Sequence, residues 1–448
     1  MSAVLAAAVV LLDVAGVAAA ADPVTFGTPV AKATFGKEVV FTQPVTLAGT
    51  IASAEILVTF PGSAGPTVIE VPPPTGTGSQ ELSYTFDLSK DGFIAPNTKL
   101  QADWRLYTTG HDAASAFTGP VVRVTYADDR FQWKSATGKL VHVYWYEGGA
   151  AFGAHALQIG EDAVESASTL LGVTESEPVD FYVYADQAAF YDALGPGTRE
   201  NVGGQANADI RTMFALVTPA EINDSWVDIV IPHELTHLVF DTAVKNAYHF
   251  PPRWLNEGLA EYQSQGYDAG YKATIEQDAQ DGTLIPLEGL TGQFPTTYER
   301  FSLAYAESTA AVDFLVRTYG QDALVKLINS YSKGLTDDEA FTQAHGLDAT
   351  AFGNAWFASV GAVVPTKYGP QPAAPGPVPA PWVGNTAPGT TAAPGAPTAA
   401  PTTPTGNGDA ASGSSGGGAI ALVLAAVVTA LAVLGLYGYR RRQDAADS

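Results

Sequence analysis

From residue 24 to about 145 the chain alternates apolar and polar positions in short runs. Those at 38–42, 55–60, 81–86, 100–107, 121–126 and 140–146 are rich in Val, Thr, Phe and Tyr, with Gly, Pro, Asn and Asp between them. A period of two puts every second side chain on one face of a pleated strand. Their number and spacing predict an all-β, sandwich-like domain over 24–145. Nothing there gathers His, Asp and Glu, so the expected role is structural, or binding of a substrate or cell surface. The run at 140–146 also suits the first strand of the next domain.

Beyond residue 146 the period lengthens. Helical spacing recurs at 154–171, 187–194, 254–266, 270–280, 302–319, 321–332, 336–344 and 348–360, with strand candidates at 179–184 and 211–217. Strands first and helices afterwards predict an α+β domain over 146–362. Pro232 stands just before an expected helical segment. A helix either begins near Val230, or is capped around residues 223–225 and bends at the proline. The strand at 211–217 is the expected sheet edge for an extended peptide, with Gly203 and Gly204 allowing close backbone approach.

The two ends follow other rules. Residues 1–20 are apolar and close on small side chains, which predicts a secretory signal peptide, although no Lys or Arg precedes the run and Asp13 interrupts it. Residues 366–418 are almost entirely Pro, Ala, Gly, Thr and Ser, the composition of a disordered, partly polyproline stalk. Residues 419–439 form an uncharged apolar run long enough to be a transmembrane helix, and Arg440, Arg441 and Arg442 open a tail over 440–448. Positive charge on the cytoplasmic side orients such a span. The expectation is a single-pass membrane protein with its folded part extracellular.

Charge and cysteine content narrow the class. A net charge of −24 offers no positive footprint for nucleic acid. With no cysteine in the chain, thiol chemistry, disulfides and cysteine metal sites are excluded. The sequence carries no sign of oligomeric state.

The chemistry concentrates in two segments. His233-Glu234-Leu235-Thr236-His237 sets two of the chain's seven histidines four apart, on one face of a helix, where both rings reach one metal ion. Glu234 is then placed to act as a general base. Catalytic zinc (Zn2+) needs a third protein ligand and an open position. Twenty residues past His237 lies Glu257, within Trp254-Leu255-Asn256-Glu257-Gly258-Leu259-Ala260-Glu261, and it is the candidate third ligand. Glu261, one turn on, is placed to accept the second ring N–H of His233.

These two segments together resemble the gluzincin branch of zinc metallopeptidases, the thermolysin and aminopeptidase N superfamily, and especially its peptidase MA-like members. The resemblance covers about 147–362 and implies a thermolysin-like metallopeptidase domain. It implies that His233, His237 and Glu257 bind zinc, that Glu234 is base and proton shuttle, and that Glu261 supports His233. For the hydroxyl that steadies the oxyanion it offers two tyrosines. Tyr248, nine residues before Glu257, stands as in thermolysin; Tyr305 stands as the aminopeptidase tyrosine does and is preferred. His249 is a further candidate.

The Gly-x-Met-Glu-Asn segment with which aminopeptidases hold a free amine is missing. The expected activity is therefore a membrane-anchored extracellular zinc endopeptidase acting on peptide or protein substrates. Two alternatives stand beside it: a catalytically silent zinc-binding adhesion protein, and an aminopeptidase with atypical amine recognition.

Overall fold

The computed structural model describes residues 23–110, 116–195, 203–246 and 248–365. The expected signal peptide (1–20), stalk (366–418), membrane span (419–439) and tail (440–448) lie outside the described residues. Among the described residues no helix is long and apolar enough to cross a membrane.

Nine strands come first: β1 (Val24–Phe26), β2 (Val30–Thr34), β3 (Glu38–Leu47), β4 (Ser53–Thr59), β5 (Thr67–Val71), β6 (Gly78–Asp87), β7 (Thr98–Tyr107), β8 (Phe117–Thr118) and β9 (Val122–Tyr126). They make two antiparallel sheets. In one, β3 pairs with β1, β2 and β6; in the other, β4 and β7 are flanked by β5, β8 and β9. The alternation read in the sequence is the burial pattern: Val39, Phe41, Val45 and Leu47 of β3 meet Leu100, Ala102, Trp104 and Leu106 of β7 in one apolar core. Two sheets sharing such a core form a sandwich.

A third sheet follows, from β10 (Lys134–Thr137), β11 (Val141–Trp145), β12 (Val179–Tyr184), β13 (Gly204–Asn207) and β14 (Thr212–Leu216). Its order is β10-β11-β12-β14-β13, with β11, β12 and β14 parallel and both outer strands antiparallel. This corrects the division at 145/146. Val141–Trp145 pairs with β10 and β12, so by strand pairing the divide falls between Tyr126 and Lys134. Alternating apolar residues mark a strand equally well in either sheet, and only its partners assign it.

Helices α1 (Ala150–Leu171) and α2 (Gln187–Leu194) lie between strands of this sheet, and α2 is capped by Asp186, whose side chain accepts the Ala189 N–H. Helices α3 (Val227–Val244), α4 (Arg253–Ser264), α5 (Ala269–Asp281), α6 (Tyr298–Tyr319), α7 (Gln321–Tyr331), α8 (Asp337–His345) and α9 (Ala349–Ser359) follow. One sheet face, with Val143, Phe181 and Met213, joins α1, α3, α4 and α6 in the main core; the other carries Tyr182, Tyr184 and Phe214 against α2. Asn97, just before β7, ties the sandwich to this sheet through Asp180 and Thr212, both at 2.8 Å.

Helix α3 settles the question of Pro232. It starts at Val227, ahead of both Pro232 and Val230, and runs through the proline as its sixth residue. The amide that would bond the Asp228 carbonyl is thereby lost. Apolar side chains cover α3 on nearly every face, so the polar groups it carries are enclosed.

Candidate metal centre

One turn of α3 brings His233 and His237 together, their side chains only 1% and 8% exposed. Their Nε2 atoms lie 3.1 Å apart. Helix α4 packs beside α3 and supplies Glu257, whose Oε2 is 3.8 Å from His233 Nε2 and 3.7 Å from His237 Nε2. A Cβ at Gly258 would stand 2.7 Å from the Ser308 carbonyl carbon, so glycine permits the close packing of α4 on α6.

The opposite ring atoms explain this arrangement. His237 Nδ1 lies 2.9 Å from Asn256 Oδ1, an acceptor, so Nδ1 carries the proton and Nε2 a lone pair. His233 Nδ1 is 3.5 Å from Glu261 Oε1. Glu261 is held by Gln265 and by the Tyr271 hydroxyl at 3.1 Å. Burial, reinforced by His237, drives the His233 imidazole well below its ordinary range, which favours its neutral form. Two imidazole nitrogens and a carboxylate oxygen thus converge in a dry site. Metal–ligand bonds of about 2.0–2.1 Å in tetrahedral array put ligand atoms roughly 3.4 Å apart. The observed 3.1–3.8 Å brackets that value, and two imidazoles with one carboxylate suit zinc. Among the described residues this is the one group of three or more ligand side chains close enough to share an ion.

Glu234, on the same helix, is 3% exposed and accepts the Ala206 N–H at 2.9 Å through Oε2. Ala206 lies on β13, the outermost strand of the third sheet. The edge expected at 211–217 is therefore displaced. β14 is held on both sides by β12 and β13, and Gly204–Asn207 is the edge. The close approach expected of Gly204 is real but made to α3: a Cβ there would stand 2.9 Å from Glu234 Cγ. Burial first, then the Glu257 charge, pushes the Glu234 carboxyl up to about 8 in the metal-free site. Burial likewise lifts Glu261 to about 7, against the lowering effect of its bonds from Gln265 and Tyr271.

The two tyrosines separate. Tyr305, buried on α6, donates its hydroxyl to Glu257 Oε2 at 3.1 Å. Tyr248 is 89% exposed and lies against Gly334, so the thermolysin-like alternative is not brought to the site. His249 turns to Asp337 at 3.0 Å, also away from it. Arg253, Gln265, Tyr271 and Ala206 were not legible as site residues. Asn256 stood within the Asn-Glu-Gly run without a role. Their parts depend on which atoms the fold sets opposite them.

Residues 159–362 match the family model of the Peptidase MA superfamily. Among solved structures, the chain is similar to a two-domain M1 zinc metallopeptidase mutant bound to L-arginine, at 15% identity and TM-score 0.36 over 76% of this chain and 93% of that one. It is similar to an M1 zinc metallopeptidase mutant from Deinococcus radiodurans at 16% identity and TM-score 0.37, over 73% and 91% of the two chains. It is also similar to an aminopeptidase N family protein from Idiomarina loihiensis at 8% identity and TM-score 0.33, over 70% and 71%. No curated protein matches the chain. Residues 159–362, which hold the paired imidazoles and their glutamates, are thus the part of the chain that is similar to the Peptidase MA superfamily.

Proposed function

We propose that this protein is a zinc-dependent endopeptidase, with His233, His237 and Glu257 as the metal ligands. The observation that carries the proposal is the pair of imidazoles whose Nε2 atoms face each other at 3.1 Å, with Glu257 Oε2 closing the triangle. Zinc bound there supplies a Lewis acid that acidifies a water and polarises the scissile carbonyl. Glu234 takes the proton from the attacking water and returns it to the leaving nitrogen. Its bond from Ala206 N–H leaves the second carboxylate oxygen for that task. Tyr305, its hydroxyl beside the ligand oxygen of Glu257, donates to the oxyanion as it forms. Asn256 holds His237 in the tautomer that presents Nε2, and Glu261, 3.5 Å from His233 Nδ1, is placed to do the same for that ring.

The preference for internal bonds rests on where the carboxylates are engaged. Glu234 is bonded to Ala206, Glu257 to Arg253 and Tyr305, and Glu261 to Gln265 and Tyr271. The edge strand beside them carries Gly204, Gln205, Ala206 and Asn207, with no acid to pair a substrate ammonium. We place the enzyme outside the cell on a single membrane span, supported by the apolar run at 419–439 and the three arginines after it.

The test is hydrolysis of internally quenched peptides, blocked and with free amines, by the zinc-loaded full-length chain and its Glu234→Gln form. Cleavage of blocked peptides by the first and none by the second is expected, with zinc retained in both. Undiminished turnover by Glu234→Gln refutes the assignment of the base. Cleavage confined to free-amine peptides makes the enzyme an aminopeptidase.

A further inference from the structure

Arg253, the first residue of α4, stands against the rules for a helix surface. A cation in a first turn opposes the helix dipole, and an Arg four residues before a Glu is the weaker order for a helical ion pair. Nor is this a solvated pair: the two side chains are 11% and 3% exposed. Local rules broken together at one buried position mark a residue kept for something other than helix stability.

The partners of Arg253 show what that is. Its Nε donates to Glu257 Oε1 at 3.1 Å, the oxygen opposite the one that faces the imidazoles. Its guanidinium carbon lies 4.6 Å from the centre of the Phe294 ring, and its backbone N–H donates to the Thr291 carbonyl at 2.9 Å. The guanidinium is thus held on one face by Phe294 and at its Nε edge by Glu257, although its Nη2 is buried with no acceptor among the described residues. Glu234, Glu257 and Glu261 bring three carboxylates into one enclosure, each 3% exposed or less. Arg253 is the one Lys or Arg in ion-pair contact with any of the three among the described residues.

We propose that Arg253 is a positioning residue for the metal centre. It occupies Oε1 of Glu257 so that this ligand presents Oε2 alone. The inference rests on the zinc site proposed above. A guanidinium does this and an ammonium does not, because the planar fork donates in a fixed direction while the ammonium is a compact point charge.

The experiment measures zinc affinity of the full-length chain by competition with a chelating indicator, for wild type, Arg253→Met and Arg253→Lys. Visible absorption of the cobalt-substituted proteins is recorded alongside. Loss of such a supporting contact weakens metal binding by roughly 10–100-fold, and that loss is expected for Arg253→Met. Arg253→Lys should fall between it and wild type. Both cobalt spectra should shift toward the weaker bands of higher coordination, as Oε1 becomes free to bind. Wild-type affinity and spectrum in either variant overturn the inference while leaving the zinc site intact. Should Arg253→Met fail to fold, Arg253→Lys decides alone. A wild-type chain that binds no zinc overturns the site and this inference together.

Discussion

Gly204→Ala isolates the contact between the edge strand and the proposed base. The glycine is not among those with positive φ, so alanine fits its backbone and the effect is one of space alone. The new methyl would lie 2.9 Å from Glu234 Cγ and 3.2 Å from Val230 Cγ1, inside ordinary van der Waals separation. Overpacking of this kind costs about 1–3 kcal/mol. A less flexible unfolded chain offsets about 0.4–1 kcal/mol of that. The net loss of stability should therefore stay below about 3 kcal/mol. Activity should suffer more. Glu234 either moves or surrenders its bond from Ala206 N–H, and a displacement near 1 Å in a reacting group costs on the order of 100-fold in rate. The His233, His237 and Glu257 side chains are not among the atoms the methyl meets, so zinc affinity should hold. The assay pairs kcat and KM on a cleaved peptide with zinc content and a urea melt. A fall in kcat of about 100-fold with zinc retained is the expected result, at the size that misplacement predicts. Wild-type kcat in a protein with the expected loss of stability would show that β13 does not position Glu234.

Other expectations follow from the same geometry. Tyr305→Phe should lower kcat by roughly 100–1,000-fold, the usual cost of one oxyanion donor, with zinc still bound, whereas Tyr248→Phe should change little; the reverse pattern would reinstate Tyr248. The metal-free protein should lose stability as pH rises from about 5 to above 8. Glu234 and Glu261 have folded values of about 8 and about 7 against 4.5 for an unperturbed group, so the folded state holds extra protons. Their contribution is complete below 4.5 and lost as pH climbs through the folded values, with Glu234 alone worth on the order of 5 kcal/mol at 1.36 kcal/mol per unit. Thermal melts with a chelator present at several pH values check this, and a melting temperature that rises over the interval would contradict it.

Much of the fold was legible because it is written in local periods. The runs at 100–107 and 179–184 are strands β7 and β12, and the spacing at 187–194 and 302–319 is that of α2 and α6. The four-residue strand Gly204–Asn207 was missed. With Gly204 and Ala206 facing α3 and Gln205 and Asn207 between them, it has no large apolar side chain to announce a period. Pro232 was ambiguous because a proline ends or bends most helices, and the apolar burial that carries α3 through it is a property of the surrounding core.

The sequence by itself determined which residues stand together as candidates for the metal centre. Two histidines four apart share a helix face by the geometry of the helix alone, and Glu257 and Glu261 share the next for the same reason. Only the tertiary structure decided what surrounds them. Packing of α6 against α4 set the Tyr305 hydroxyl 3.1 Å from Glu257 and left Tyr248 in solvent. The order of the mixed sheet made β13, not β14, the edge beside Glu234. Burial beside that ligand turned an unremarked arginine at a helix start into the partner of Glu257. Periodicity is a property of neighbours along the chain, whereas strand order, desolvation and the pairing of buried charges depend on residues that only folding brings together.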